Sequence, residues 1–135
     1  MNVWYGSNEN GWLSNLAYRP FFYGRQHYVT VEQAYQSWKS GKFDERTYGK
    51  RWAAGVKIAG NMPTNTREGW NIDLMGHLMY LSFKANPEQA EMLIQIHASG
   101  IEFTHNQDDG IWKTVFPNLL HTVGDQLAKE KYDNN

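Results

Sequence analysis

The sequence predicts an α+β fold, a single, mostly helical domain carrying a small antiparallel sheet. Three observations predict it. The segment "PFFYGRQHYVTV" (residues 20–31) places two arms of aromatic and β-branched residues around Tyr23-Gly24-Arg25, the pattern of a hairpin. Leu74, Met75, Leu78, Met79 and Leu81 recur at helical spacing and form one broad apolar face. The 135 residues contain no internal repeat, no low-complexity tract and no linker, so residues 1–135 read as one domain with its own core.

Taken in order, Val3 to Tyr5 reads as a short strand, followed by the turn-rich loop "GSNENGWLSN" and then the hairpin. Thr30 is placed to cap a helix, with Gln33 three residues on as the capping-box partner. That helix runs to about Ser40, where Gly41 stops it. A short helix is expected over Asp44 to Ala54, ending at Gly55, and "GVKIAGNMPTNT" reads as loop. Thr66 restarts a helix that should be the longest in the chain. Pro87 breaks it and opens another, closed by Gly100. Residues 101–105, "IEFTH", alternate like a strand and are expected to pair with the N-terminal hairpin. The loop "NQDDGIWK" then leads to a last helix from about Asn118 to Tyr132.

Composition narrows the function. A net charge of −1 with no basic block argues against a tight, non-specific grip on a polyanion. The absence of cysteine excludes disulfides and thiolate metal sites. The start "MNVWYGSNEN" lacks a signal peptide's basic and apolar blocks, and no apolar run spans a bilayer. A cytoplasmic protein that engages no membrane is the expectation. Six Trp, eight Tyr and six Phe exceed what a polar surface needs; most should fill the core, and a few are available to stack on a base or a sugar. No Gly-rich phosphate loop and no nucleophile elbow occur. Histidines 27, 77, 97, 105 and 121 show no paired ligand spacing, so neither a metal nor a cofactor is expected, and His77 reads as a packing residue.

Four clusters remain. In "TVEQAYQSWKSGKF", Glu32, Tyr35, Gln36 and Lys39 share one helix edge, while Val31, Ala34 and Trp38 face the other way. That stripe either faces water or lines a cavity. In "TREGWNID", Arg67 and Trp70 project together, as a surface cation–π pair or as an anion anchor beside a stacking wall, with Asn71 or Asp73 nearby. In "NQDDGIW", Asp108 and Asp109 either build a turn or present a carboxylate ahead of Trp112. Ser14 and Asn15 serve their own loop or a ligand's hydroxyls.

In series, "LSNLAYRPFFYGRQHYVTVEQAYQSWKSGKF", "TREGW", "LMYLSFKANPEQAEML" and "DDGIW" resemble the NADAR family, also called YbiA-like, over nearly the whole chain. The helix motif is the most specific part of the likeness. Gln33 stands where the family has His, Leu16 where it has Phe, and Lys113 where it has Gly after the tryptophan. The resemblance implies a NADAR/YbiA-like fold and hydrolysis of an N-glycosidic bond between ribose C1 and an exocyclic amine. The substrates it implies are ribosylamino-pyrimidine phosphates, as in riboflavin synthesis, or ADP-ribose on the amino group of guanine, including a modified guanine in nucleic acid. It implies Glu32 as general acid, Lys39 as a Schiff-base nucleophile or a partner of phosphate or Glu32, and Asp109 as the group that positions water or ribose hydroxyls. Asn15, Tyr35, Gln36, Arg67, Trp70, Asp73 and Trp112 would then bind substrate. The same pocket would equally suit a module that holds an ADP-ribose-like ligand without cutting it.

Overall fold

The structure is a computed structural model and describes residues 1–5, 9–45 and 69–133. Among them are four helices and a two-stranded antiparallel sheet. Strand β1 (Phe21–Tyr23) pairs with β2 (Gln26–Tyr28), Phe21 opposite Tyr28 and Tyr23 opposite Gln26. Only Gly24 and Arg25 connect them, with φ of 57° and 66°, the two left-handed residues of a type I′ turn. This turn matches the right-handed twist of the arms. Phe21 and Tyr28 are buried and their rings touch, whereas Phe22 and His27 pair on the outer face. Gly24 is required twice over: its φ is positive, and a Cβ there would lie 2.9 Å from Trp38 Cζ2. Gly24→Ala is expected to cost about 2 kcal/mol, from left-handed strain plus overpacking, read as a lower melting temperature.

Helix α1 (Val31–Ser40) begins as the residue types dictate. Thr30 is extended, and its Oγ1 accepts the Gln33 amide at 3.0 Å. Gln33 departs from the ordinary capping box. Its Oε1 accepts from the backbone of Val29, one residue before the cap, at 2.8 Å, and its Nε2 donates to the Asp44 carbonyl at 2.9 Å. The wholly buried amide therefore ties the residue that follows β2 to the chain after the helix. Gly41, at φ 82°, ends α1 by returning its N–H to the Ser37 carbonyl.

Helix α2 (Trp70–Lys84) starts after Gly69, which has φ 82°. The expected helix over 44–54, the loop that follows it and Thr66 itself lie beyond Glu45 or ahead of Gly69, outside the described residues but for Asp44 and Glu45. Met75, Leu78, Met79 and Phe83 supply the buried side of α2, while Leu74 and Leu81 are half-buried. Helix α3 (Pro87–Ala98) opens with proline in its first turn, and Gly100 lies just beyond it at φ 78°.

Helix α4 (Trp112–Asp133) corrects two expectations: it is longer than α2, and it starts at Trp112 instead of Asn118. Pro117 lies inside it and is buried. The ring removes a single amide, the one that would have bonded the carbonyl of Lys113, and Lys113 sits in the exposed first turn. Residues 101–105 also differ from expectation. Thr104 pairs in parallel with Asn2 and not with the hairpin, through Val3 N to Thr104 O and Thr104 N to Met1 O, both 2.9 Å.

The core forms where α1 and β1 pack on α2, and where α4 packs across α2 and α3. Val31, Ala34, Leu78, Met79, Phe83, Leu93 and Leu120 are almost fully excluded from solvent there. Two cross-helix clusters line the outside of α4: Glu130 receives both Tyr80 Oη and Lys84 Nζ at 2.6 Å, and Lys131 reaches Glu91 at 2.6 Å. Exposed pairs of this kind add little to stability. No helix among the described residues is long and apolar enough to cross a membrane.

Candidate active site

The polar edge of α1 is only partly open to water. Tyr35 is 6 % exposed and Gln36 1 %, while Glu32 and Lys39 are half-buried. Gln36 Nε2 donates to Glu32 Oε1 at 2.7 Å, one turn back along the helix. Rings from two distant parts of the chain close on Tyr35. Trp70 lies nearly parallel to it, with centroids 6.4 Å apart and planes at 5°, and Trp112 meets it edge-on at 5.8 Å. These tryptophans are the first residues of α2 and α4, so two helix N-termini, with their positive dipole ends, lie beside the α1 edge.

Burial, with the Glu32 charge as a second cause, pushes the Tyr35 phenol up to about 12. It therefore stays protonated at neutral pH and acts as a donor. Lys39 follows Tyr35 by one turn, and among the described residues no hydrogen bond or ion pair holds its ammonium.

The loop before the hairpin is fastened to this edge. The Asn15 carbonyl accepts the Glu32 amide at 2.9 Å, which satisfies one of the N–H groups the start of α1 leaves open. The Asn15 side chain turns towards α2, where Nδ2 meets Met75 Sδ at 3.3 Å. Its Oδ1 is buried and accepts nothing among the described residues. A sulfur acceptor and an empty oxygen leave this amide with unused hydrogen-bonding capacity.

What holds the loop is Arg19, a residue the sequence reading did not single out. Its guanidinium is 1 % exposed; Nη1 donates to the carbonyls of Trp12 and Ser14, Nε donates to Ser82 Oγ at 3.0 Å, and the group lies 4.1 Å over the Phe83 ring. Burial pulls its pKa down to about 9, so it is still charged at neutral pH. A charge within the aromatic run "AYRPFF" was the available signal for such an anchor.

Asp108 and Asp109 are separated by their surroundings. Asp108 Oδ1 accepts the Gly110 amide at 2.8 Å, closing the turn, and its Oδ2 faces His105 Nε2 at 3.7 Å. Asp109 is exposed and engages no other described side chain, which makes it the carboxylate of the two that can reach a ligand. Asp73 is exposed in the first turn of α2, three residues after Trp70. Arg67 lies outside the described residues. His77 is exposed, with its ring edge-on to Tyr23 at 5.5 Å, and so packs at the margin and not within the core.

The structure thus brings Glu32, Tyr35, Gln36, Trp70 and Trp112 together, with Asn15 bonded to the first turn of α1 and Lys39 one turn beyond Tyr35. Among the described residues no group of three or more His, Asp or Glu gathers that could hold a metal ion. Compared with known protein families, with curated proteins and with solved structures, the chain finds no match.

Proposed function

We propose that this chain is a hydrolase that cleaves an N-glycosidic bond between ribose C1 and an exocyclic amine, of the type found in ribosylamino-pyrimidine phosphates and in ADP-ribosyl-guanine. The reading rests on the resemblance of its motifs to the NADAR family. The observation that carries it is the half-buried Glu32 carboxylate, held by Gln36, one turn from a protonated phenol packed between two tryptophans.

Cleavage requires a proton on the departing amine and relief of positive charge at C1. Glu32 supplies the proton. Asn15 Oδ1 and the Tyr35 hydroxyl, one an acceptor and one a donor, suit ribose hydroxyls. Trp70 and Trp112 offer faces for the base, and the helix ends they begin suit a phosphate. Asp109 positions the water. Lys39 acts on the ring-opened imine: its amine adds to C1, the substrate amine leaves with the proton from Glu32, and water hydrolyses the resulting Lys39 imine to the free sugar and the restored Lys39 side chain. Borohydride added during turnover is expected to reduce that imine and leave a ribosyl or ADP-ribosyl mass adduct on Lys39. A peptide map without such an adduct removes the covalent step and leaves Lys39 as a partner of phosphate or of Glu32.

The test of the reaction is product analysis by mass after incubation with a ribosylamino-pyrimidine phosphate and, separately, ADP-ribosyl-guanosine. Release of the free amine from either substrate is the expected result. Binding of both without cleavage would leave a module that holds ADP-ribose-like ligands.

A further inference from the structure

The seam between α3 and α4 contains a contact remote in sequence from the α1 edge. His97 of α3 and His121 of α4 meet Nδ1 to Nδ1 at 2.9 Å, with ring centres 5.2 Å apart. That spacing is what the contact and the two centre-to-nitrogen radii add up to in a straight line, so each Nδ1 points at the other. Two bare nitrogens so aligned would repel, and two N–H groups would set proton against proton. The contact therefore needs one proton between the rings, donated by one Nδ1 and accepted by the other. A metal ion does not fit on this line, because two bonds of about 2.0–2.1 Å exceed the gap.

The surroundings hold the rings in place. A Cβ on Gly124 of α4 would come within 3.0 Å of His97 Cβ, so the bare backbone there is what lets His97 approach. Phe103 covers His121 with ring centres 4.7 Å apart. The outer nitrogens face carboxylates: His97 Nε2 is 3.7 Å from Asp125 Oδ1, and His121 Nε2 is 3.9 Å from Glu102 Oε2. Lys129, 3.0 Å from Asp125, shares that carboxylate's charge. The Glu91–Lys131 pair joins the same two helices farther along. Both histidine side chains are 26 % exposed, although the His121 Nε2 atom itself is buried and accepts or donates no hydrogen bond among the described residues.

We propose that His97 and His121 form a shared-proton latch between α3 and α4 that acid releases. In the neutral pair one ring carries its proton at Nδ1 and the other at Nε2. A first added proton goes to the bare Nε2, where a carboxylate faces it, and the Nδ1–H···Nδ1 bond survives. A second has only the accepting Nδ1 to occupy; it leaves two N–H groups head to head between two imidazolium ions, and the rings must part. Parting the rings breaks this bond across the seam, so the hold of α3 on α4 weakens in acid.

The full chain, labelled with 15N, tests this directly. Expected at neutral pH is a scalar coupling across the hydrogen bond between His97 Nδ1 and His121 Nδ1, lost on acidification together with slow amide exchange along the seam. The melting temperature of the wild type is expected to drop between neutral and acidic pH by about 3–5 °C more than that of His121→Gln, the equivalent of one hydrogen bond. Absence of the coupling in the folded wild type at neutral pH would overturn the latch, as would its persistence once both rings are doubly protonated.

Discussion

Glu32→Gln is expected to lower turnover by about 10²- to 10⁴-fold, the usual worth of a positioned general acid, with the melting temperature unchanged. The amide is nearly isosteric and keeps an oxygen where Glu32 Oε1 now accepts from Gln36. The Glu32 backbone amide still reaches the Asn15 carbonyl. The substitution therefore keeps these two contacts and removes the ionisable proton. Single-turnover rates on whichever riboside the wild type cleaves, set beside thermal melts, separate the two effects. Wild-type cleavage by the amide variant would mean the proton comes from elsewhere.

Gln33→Leu is expected to destabilise the fold by about 3 kcal/mol, since two backbone groups lose their partners at once. The Val29 amide and the Asp44 carbonyl both depend on this one buried side chain. Leucine matches its volume but leaves a donor and an acceptor dry, at about 1–3 kcal/mol each, partly offset by its own apolar burial. For a chain of 135 residues this lowers the melting temperature by roughly 10 °C. A change within 2 °C would mean that water enters and satisfies both groups.

The contrast between these positions shows what the sequence could convey. The start of α1 was legible, because Thr30 and Gln33 sit at capping spacing and Gly41 marks the end. The side-chain bonds of Gln33 were not: its oxygen accepts from Val29 and not from the cap residue, and Asp44 becomes a partner only once the chain returns past α1. The hairpin is equally local: a glycine between aromatic arms. Helix α4 was read as starting too late because Pro117 looks like a boundary; a proline in the second turn forfeits one amide, and burial of Phe116, Pro117 and Leu120 outweighs that loss. Alternation in "IEFTH" signals extended chain but names no partner, so its pairing with the N-terminus required the fold.

The candidate site divides the same way. Glu32, Tyr35, Gln36 and Lys39 are tied by helical spacing and could be grouped on sequence alone. Trp70 and Trp112 reach Tyr35 only because α2 and α4 both begin there. Arg19 was marked only by its place in an aromatic run, and the His97–His121 pair by nothing local, since Ser82 and the facing histidine lie on other elements.

The central claim is that a ribosyl ligand lies on the α1 edge against Tyr35 and its two indoles. The most direct measurement is chemical-shift mapping of the isotope-labelled chain titrated with ADP-ribose. The account predicts saturable shifts of the Trp70 and Trp112 indole N–H and of the Asn15 side-chain amide. Saturable binding that leaves all three unmoved would contradict it.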